Sequence, residues 1–209
     1  MSDYYNRRPG FLSSLPAATK NIILINLVVF LATELIGDKM YELFALFPWG
    51  ASLHKPWQIV SHMFMHGGFW HIFFNMYTLF IFGSALERIW GSRKFVTFYF
   101  VTGIGAALCH NLVALLMHTI SNIPTVGASG AIYGLLMGYA MLFPNSELQL
   151  IFPPIRLTAK WFVIIFGAIE LLTGITGMGG NVAHFAHLGG MLFGWALMVY
   201  WKKSNKMWN

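Results

Sequence analysis

The stretch from Thr125 to Leu135, T-V-G-A-S-G-A-I-Y-G-L, contains a serine with the surroundings of a nucleophile. Ser129 lies between Gly127 and Gly130, where a loop marked by Pro124 turns into an apolar segment of helical composition. Small neighbours leave the hydroxyl uncrowded, and a helix start supplies free backbone N–H groups and the positive end of a dipole. These features suit a serine nucleophile with an anion-stabilising pocket. The same pattern also serves as a close helix-packing surface, so this stretch alone leaves both interpretations open.

A second stretch, A-H-F-A-H-L-G-G-M-L-F-G, carries two histidines that could act as a base. His187 precedes Gly190 by three residues and Gly194 by seven, so all three share one helical face. If that face packs on the helix that carries Ser129, a neutral imidazole can take the serine proton. The alternative is a histidine hydrogen-bonded across a helix interface. His184 lies roughly on the same face, and spacing alone does not separate the two histidines.

Four other polar positions could belong to such a site. His71 and Asn75, at positions i and i+4 of H-I-F-F-N, lie on one helical face and can donate hydrogen bonds to an oxyanion; the alternative is a polar pair that joins helices. Tyr133 follows Ser129 by one turn and could stack on the imidazole of His187. Glu170, the acidic residue well inside a predicted span, could be a third catalytic member, a proton-relay group or a protonated packing residue. We interpret it as structural, because spans two, four and six already hold a complete set.

The composition indicates an integral membrane protein. Of the 209 residues, 57% are hydrophobic and 10% are charged, with a mean hydropathy of +0.62, whereas soluble domains carry about 25% charged residues. The basic residues behind the net charge of +6 lie at the ends of apolar segments, as membrane anchors do, so no nucleic-acid partner is predicted. The single cysteine, Cys109, excludes an internal disulfide, and the H-E-x-x-H metal motif is absent, so neither metal nor cofactor is predicted.

The apolar segments predict an all-α integral membrane protein, a six-helix transmembrane bundle without strands. The predicted spans are Asn21 to Ile36, Phe69 to Leu86, Phe95 to Leu116, Gly127 to Phe143, Trp161 to Ile175 and Val182 to Trp201. An aromatic-rich stretch from Asp38 to Met65 is too interrupted by prolines to span, so we expect a membrane-embedded loop between helices 1 and 2. The chain then divides into an N-terminal tail (1–20), one membrane domain (21–201) and a basic tail (202–209).

The basic residues also predict the orientation of the spans. Eleven of the thirteen lie on one side of the predicted bundle, and only Lys39 and Lys55 lie on the other. The positive-inside rule therefore places both termini in the cytoplasm. In this topology the second, fourth and sixth spans all enter from the outer side, so His71, Ser129 and His187 share one depth.

These motifs together resemble the rhomboid intramembrane serine proteases. They are H-x-x-x-N at His71, G-A-S-G-x-x-x-G at Gly127 and A-H-L-G-G-x-x-x-G at Ala186, and the resemblance extends from Trp57 to Trp201. It implies that Ser129 is the nucleophile and His187 the general base of a dyad. It also implies an oxyanion hole formed by His71, Asn75 and the Ser129 N–H. The supporting residues that it implies are Tyr133, Gly127, Gly130 and Gly190. Gln58 departs from the family pattern, which often has arginine there, so an arginine-based loop anchor is not expected.

The resemblance implies an endopeptidase that cleaves peptide bonds in or near transmembrane helices through an acyl-enzyme. Its partners would be a transmembrane protein substrate and the lipid bilayer of a bacterial inner membrane, and the sequence does not predict an oligomeric state. The glycine-rich stretch from Gly174 to Asn181 has the composition of a mobile lid. The alternative function is a transporter or proton relay that uses intramembrane histidines and Glu170.

Overall fold

The chain is mainly helical in the computed structural model, which describes residues 15–118, 123–150, 154–177 and 184–205. The helices are α1 (Ala17–Ile36), α2 (Asp38–Phe44), α3 (Gln58–Ser61), α4 (Phe69–Thr78), α5 (Ser84–Leu116), α6 (Ser129–Leu142), α7 (Ala159–Thr176) and α8 (His184–Lys203). Each of the six predicted apolar segments thus contains helix. Residues 1–14 and 206–209 of the predicted tails, and residues 178–181 of the predicted lid, lie outside the described residues.

Three described helical segments are long and apolar enough to cross a membrane: Ala17–Ile36, Phe69–Leu116 and Ala159–Thr176. The 48-residue segment consists of α4, a π-helical turn (Leu79–Gly83) and α5. Gly91 interrupts it with φ 74° and ψ 161°, a backbone conformation that glycine adopts without steric cost. The predicted second and third spans therefore fall in two arms, one before and one after Gly91.

A small antiparallel sheet lies between α6 and α7. Its strands are β1 (Glu147–Gln149) and β2 (Arg156–Thr158), with Leu148 opposite Leu157. The prediction of a bundle without strands is wrong at this point. Strands of three residues are too short to display the period-two alternation by which a strand is recognised in a sequence.

The segment between α2 and α4 is held by the amide of Gln58, which is fully buried. Its Oε1 accepts the backbone N–H of Lys55 at 3.0 Å and of Phe47 at 3.4 Å. Its Nε2 donates to the backbone carbonyls of Glu42 at 3.2 Å and Leu53 at 3.0 Å. A neutral side chain with two acceptor and two donor positions thus ties four backbone groups together, and it anchors this loop without an arginine.

The carboxylate of Glu87 joins the start of α1 to α5. It accepts the backbone N–H of Ala18 at 2.8 Å and of Thr19 at 2.7 Å, together with the hydroxyls of Thr19 and Ser92. The first N–H groups of a helix lack intrahelical partners, and a negative charge there is favourable. Glu87 therefore caps α1 from a distant part of the sequence.

Helices α5, α6 and α8 pack closely around small residues. A Cβ added to Gly190 on α8 would overlap the carbonyl oxygen of Gly130 on α6, and one added to Gly194 would lie 2.9 Å from the carbonyl oxygen of Gly134. On its other side, Gly130 faces Ala106 of α5, whose Cβ would be 2.5 Å from an added Cβ. The two glycine faces predicted for close approach therefore lie against each other, with Gly130 directly after Ser129 and Gly190 one turn after His187.

Candidate active site

Ser129 and His187 are in hydrogen-bond contact. Ser129 is the first residue of α6, so its backbone N–H is among those that a helix leaves without an intrahelical partner. His187 lies in the first turn of α8, and its Nε2 is 2.8 Å from Ser129 Oγ. The glycine contact between α6 and α8 allows this approach, because a side chain at Gly190 would overlap the carbonyl oxygen of Gly130 and separate the two helices. The pair has the distance required of a nucleophile and its base.

The loop before α6 holds Ser129 in place from the opposite side. The Gly127 N–H donates to the carbonyl of His62 at 2.9 Å, and Leu46 and Thr125 exchange two backbone hydrogen bonds at 2.8 and 2.9 Å. Ring Nδ1 of His62 in turn lies 2.8 Å from the Gln58 carbonyl. Burial lowers the pKa of His62 to about 4, so this ring is neutral near pH 7. The segment that Gln58 anchors is therefore linked directly to the backbone beside the serine.

Tyr133 and His187 stack with ring centroids 4.3 Å apart and an interplanar angle of 5°. The sequence predicts this contact from the one-turn spacing between Ser129 and Tyr133. Stacking restricts rotation of the imidazole and so keeps its Nε2 directed at the hydroxyl.

His71 lies beside Gly127 with a defined orientation of its ring. Its Nδ1 accepts the backbone N–H of Gly67 at 3.3 Å, so a neutral ring carries its proton on Nε2. That Nε2 faces Gly127, where an added Cβ would be 2.7 Å from Nε2 and 3.6 Å from Ser129 Oγ. His71 Nε2 and the Ser129 hydroxyl thus both border the space beside Gly127.

Asn75 lies one turn further along α4 and is buried. Its Nδ2 donates to the backbone carbonyl of His71 at 2.8 Å. An amide nitrogen has two hydrogens, so a second donor remains for an oxyanion beside His71. The contact also fixes Asn75 to the turn of helix that carries His71.

Glu170 contacts His187 of the candidate pair, although the sequence interpretation favoured a structural role for it. Its Oε1 accepts the Tyr133 hydroxyl at 2.5 Å and lies 2.9 Å from His187 Nδ1, and its Oε2 lies 2.6 Å from His184 Nδ1. One sequence signal pointed to a place for Glu170 in the site: it is an acidic residue inside an apolar span. Burying an ionisable side chain in a membrane is costly in free energy, so such residues are commonly functional. The Nδ1 of His184 contacts Glu170 and Thr173, and the imidazole that contacts Ser129 is that of His187.

Comparison with known proteins bears on the family of the chain. Residues 53–204 match the family profile described as the Rhomboid domain. The chain is 31% identical over 198 residues to the rhomboid protease GlpG of Klebsiella pneumoniae, an alignment that covers 92% of this chain and 67% of that protein.

Eukaryotic relatives are similar over a shorter part. Rhomboid protein 1, mitochondrial, of Saccharomyces cerevisiae is 30% identical over 141 residues, which is 66% of this chain and 40% of that protein. RHOMBOID-like protein 2 of Arabidopsis thaliana is 34% identical over 144 residues, which is 69% of this chain and 42% of that protein. The family profile covers most of the chain, and the GlpG alignment covers nearly all of it, so the chain belongs to the rhomboid family of intramembrane serine proteases.

Proposed function

We propose that Ser129 is the nucleophile and His187 the general base of a protease that cleaves transmembrane proteins. The observation that carries this proposal is the 2.8 Å contact between His187 Nε2 and Ser129 Oγ, at the start of two helices in close contact. A base within 2.6 to 3.2 Å of a hydroxyl is the geometry that activates a serine. The stacked ring of Tyr133 supports the assignment, because a base has to keep its orientation during the reaction.

The proposed reaction has two halves. Ser129 Oγ attacks the carbonyl carbon of the scissile peptide bond while its proton passes to His187 Nε2. The C–N bond then breaks, the imidazolium protonates the leaving nitrogen, and the acyl group stays on Ser129 as an ester. Water next attacks the ester carbonyl and gives a proton to His187 Nε2. Collapse of this second intermediate releases the new carboxyl terminus and returns the proton to Ser129 Oγ.

The negative charge on the carbonyl oxygen needs donors during both halves. We assign this role to the Nε2–H of His71, the free amide hydrogen of Asn75 and the backbone N–H of Ser129. The tautomer of His71 supports the assignment, because the Gly67 N–H occupies its Nδ1 and leaves Nε2 protonated. Donors already held by the fold stabilise charge without reorganisation when it develops.

The proposed setting is a six-span bundle with both termini in the cytoplasm of a bacterial cell and the dyad near the outer surface of the inner membrane. The break at Gly91 supports this arrangement, because it divides a 48-residue apolar helical segment into two arms of spanning length. A shallow site lets water reach the acyl-enzyme. Because helical amides are shielded by their own hydrogen bonds, the substrate has to unwind locally, and we expect small or helix-destabilising residues near the cleaved bond. The glycine-rich stretch from Gly174 is the proposed lid.

The test compares wild type with Ser129→Ala in proteoliposomes that contain a single-span substrate. We expect cleavage to fall by about a thousandfold or more, because the variant lacks the hydroxyl that contacts His187 Nε2. Ser204→Ala is the matched control, since this hydroxyl donates to backbone carbonyls at the end of α8, and it should cleave as wild type does. A fluorophosphonate probe tests the nucleophile without a choice of substrate. Full cleavage by Ser129→Ala, or equal labelling of it, would contradict the proposal.

A second pair of variants assigns the base. His187→Ala should abolish cleavage, because Nε2 of His187 contacts the serine hydroxyl. His184→Ala should retain measurable cleavage, because its ring contacts Glu170 and Thr173 and not the hydroxyl. The reverse result would assign the base to His184.

A further inference from the structure

We propose that Glu170 is a positioning residue for His187, so that the catalytic pair works as part of a Ser129–His187–Glu170 triad. This inference rests on the proposed roles of Ser129 and His187 and adds a third member to them. The juxtaposition that carries it is a carboxylate at Nδ1 of the same imidazole whose Nε2 contacts the serine. The two distances are 2.9 Å from His187 Nδ1 to Glu170 Oε1 and 2.8 Å from His187 Nε2 to Ser129 Oγ.

The carboxylate selects the tautomer that the reaction needs. An ionised carboxylate has only acceptor positions, so the proton of a neutral His187 lies on Nδ1 and is donated to Glu170. Nε2 then carries the lone pair and faces the hydroxyl of Ser129. When Nε2 takes the serine proton, the positive imidazolium lies directly beside a negative charge. Glu170 thus holds the base in its reactive form before the step and stabilises its charged form afterwards.

The surroundings of Glu170 fit an ionised group. The residue is 7% exposed and lies within α7. Its neighbours are all potential donors: the Tyr133 hydroxyl at 2.5 Å, His187 Nδ1 at 2.9 Å and His184 Nδ1 at 2.6 Å. A buried charge is tolerated when its lone pairs are hydrogen-bonded, and here both oxygens have partners.

His184 fixes the carboxylate from the other side. Its Nδ1 donates to Oε2, which leaves Oε1 to Tyr133 and His187. The hydroxyl of Thr173 lies 3.1 Å from the same Nδ1 and itself donates to the Ile169 carbonyl at 2.7 Å. Its oxygen therefore serves as a second acceptor for the His184 N–H. The two histidines that sequence spacing could not separate thus have different roles: His187 reacts, and His184 orients the carboxylate behind it.

The discriminating variant is Glu170→Gln, which keeps the size of the side chain and removes its charge. An amide can donate to Nδ1 and favour the tautomer with the proton on Nε2, which is unreactive toward Ser129. We expect kcat to fall on the order of 100-fold, with KM within about twofold of wild type. Glu170→Asp keeps the charge but withdraws it by one methylene, and it should recover part of the loss. Glu147→Gln is the control, because this exposed carboxylate lies on β1 and pairs with Arg156.

The pH dependence of cleavage separates positioning from structural support. Without the carboxylate, the imidazolium of His187 loses its counter-charge, so the acidic limb of the kcat profile should move to lower pH. The other titratable groups near this imidazole are His71 on α4, His110 on α5, Tyr133 on α6 and His184 on α8. All of them remain in Glu170→Gln, so a shift of the limb reports the loss of the carboxylate.

Each outcome supports or overturns the inference. A folded Glu170→Gln that keeps wild-type kcat and pH profile overturns it, even if its melting temperature falls, because Glu170 then only supports the helices. If Glu170→Gln does not fold, Glu170→Asp decides, and an unchanged kcat in that variant overturns the inference. Ser129→Ala measured beside these variants tests the proposed function separately. Inactive Ser129→Ala with fully active Glu170→Gln leaves the dyad standing and removes Glu170 alone.

Discussion

Gly127 makes room for the imidazole of His71, and Gly127→Ala tests that arrangement. Gly127 has φ 124°, a backbone conformation that costs a residue with a Cβ about 1 to 3 kcal/mol. The added Cβ would lie 2.7 Å from His71 Nε2 and 3.0 Å from Cε1, whereas ordinary contact begins at 3.4 Å. The ring therefore has to retreat by about 0.7 Å, because the backbone beside Ser129 is held by hydrogen bonds.

A retreat of that size removes the proposed oxyanion donor. Donors act over about 2.7 to 3.1 Å from the oxyanion, a window narrower than the displacement. Loss of one such donor lowers kcat about 100-fold to 1,000-fold, with a smaller effect on KM. We expect Gly127→Ala to reach this range, as His71→Ala should. The double variant should be no slower than His71→Ala alone, because the clash and the donor disappear together.

The assay is cleavage of a single-span substrate in proteoliposomes, with thermal unfolding in detergent as a check of folding. Gly67→Ala is the matched control. An added Cβ at Gly67 meets the same imidazole from its Nδ1 side at 3.8 Å, an ordinary contact, so cleavage should be unchanged. The reasoning is refuted if folded Gly127→Ala retains kcat within about threefold of wild type. It is also refuted if the two losses multiply in the double variant.

Three further predictions concern packing, capping and acid stability. Gly190→Ala should abolish cleavage, because the added Cβ overlaps the carbonyl oxygen of Gly130. Gly167→Ala is the control and should remain active, because its added Cβ meets the flexible end of the Met191 side chain. Equal cleavage by the two variants would contradict the packing argument. Glu87→Gln should lower the free energy of unfolding by about 1 to 3 kcal/mol, because a single neutral amide oxygen replaces the two carboxylate oxygens that accept N–H groups at the start of α1. An unchanged melting temperature would refute this. The pKa of His62 falls from 6.5 to about 4 on burial, so the unfolded chain binds a proton in this range that the folded chain does not. The free energy of unfolding should therefore decrease from pH 6.5 toward pH 4, and a His62→Gln variant that shows the same decrease would count against this origin.

Much of the fold could be predicted because the bilayer restricts what a chain can do. A long apolar segment with few charges predicts a membrane segment. Within a bilayer the backbone N–H and C=O groups have to bond to each other, and a helix satisfies all of them within one segment. The membrane class and the rhomboid family are confirmed, and helix lies in each predicted apolar segment. The strands at Glu147 and Arg156 were missed because they are short. The role of Gln58 was missed because its partners are backbone groups, which have no signature in the sequence.

For the site, the sequence determined which groups could react, and the tertiary structure determined what supports them. Ser129 beside a helix start, and His187 one turn from a packing glycine, are relations along one helix that spacing encodes. The contact of Glu170 with His187 is different, because the two residues lie on separate helices, α7 and α8. The number of residues between two helices does not determine how each helix is rotated about its axis. Spacing along a chain defines the face and depth of a side chain. Its partner on another helix depends on how the helices rotate and pack, and only the folded chain decides that.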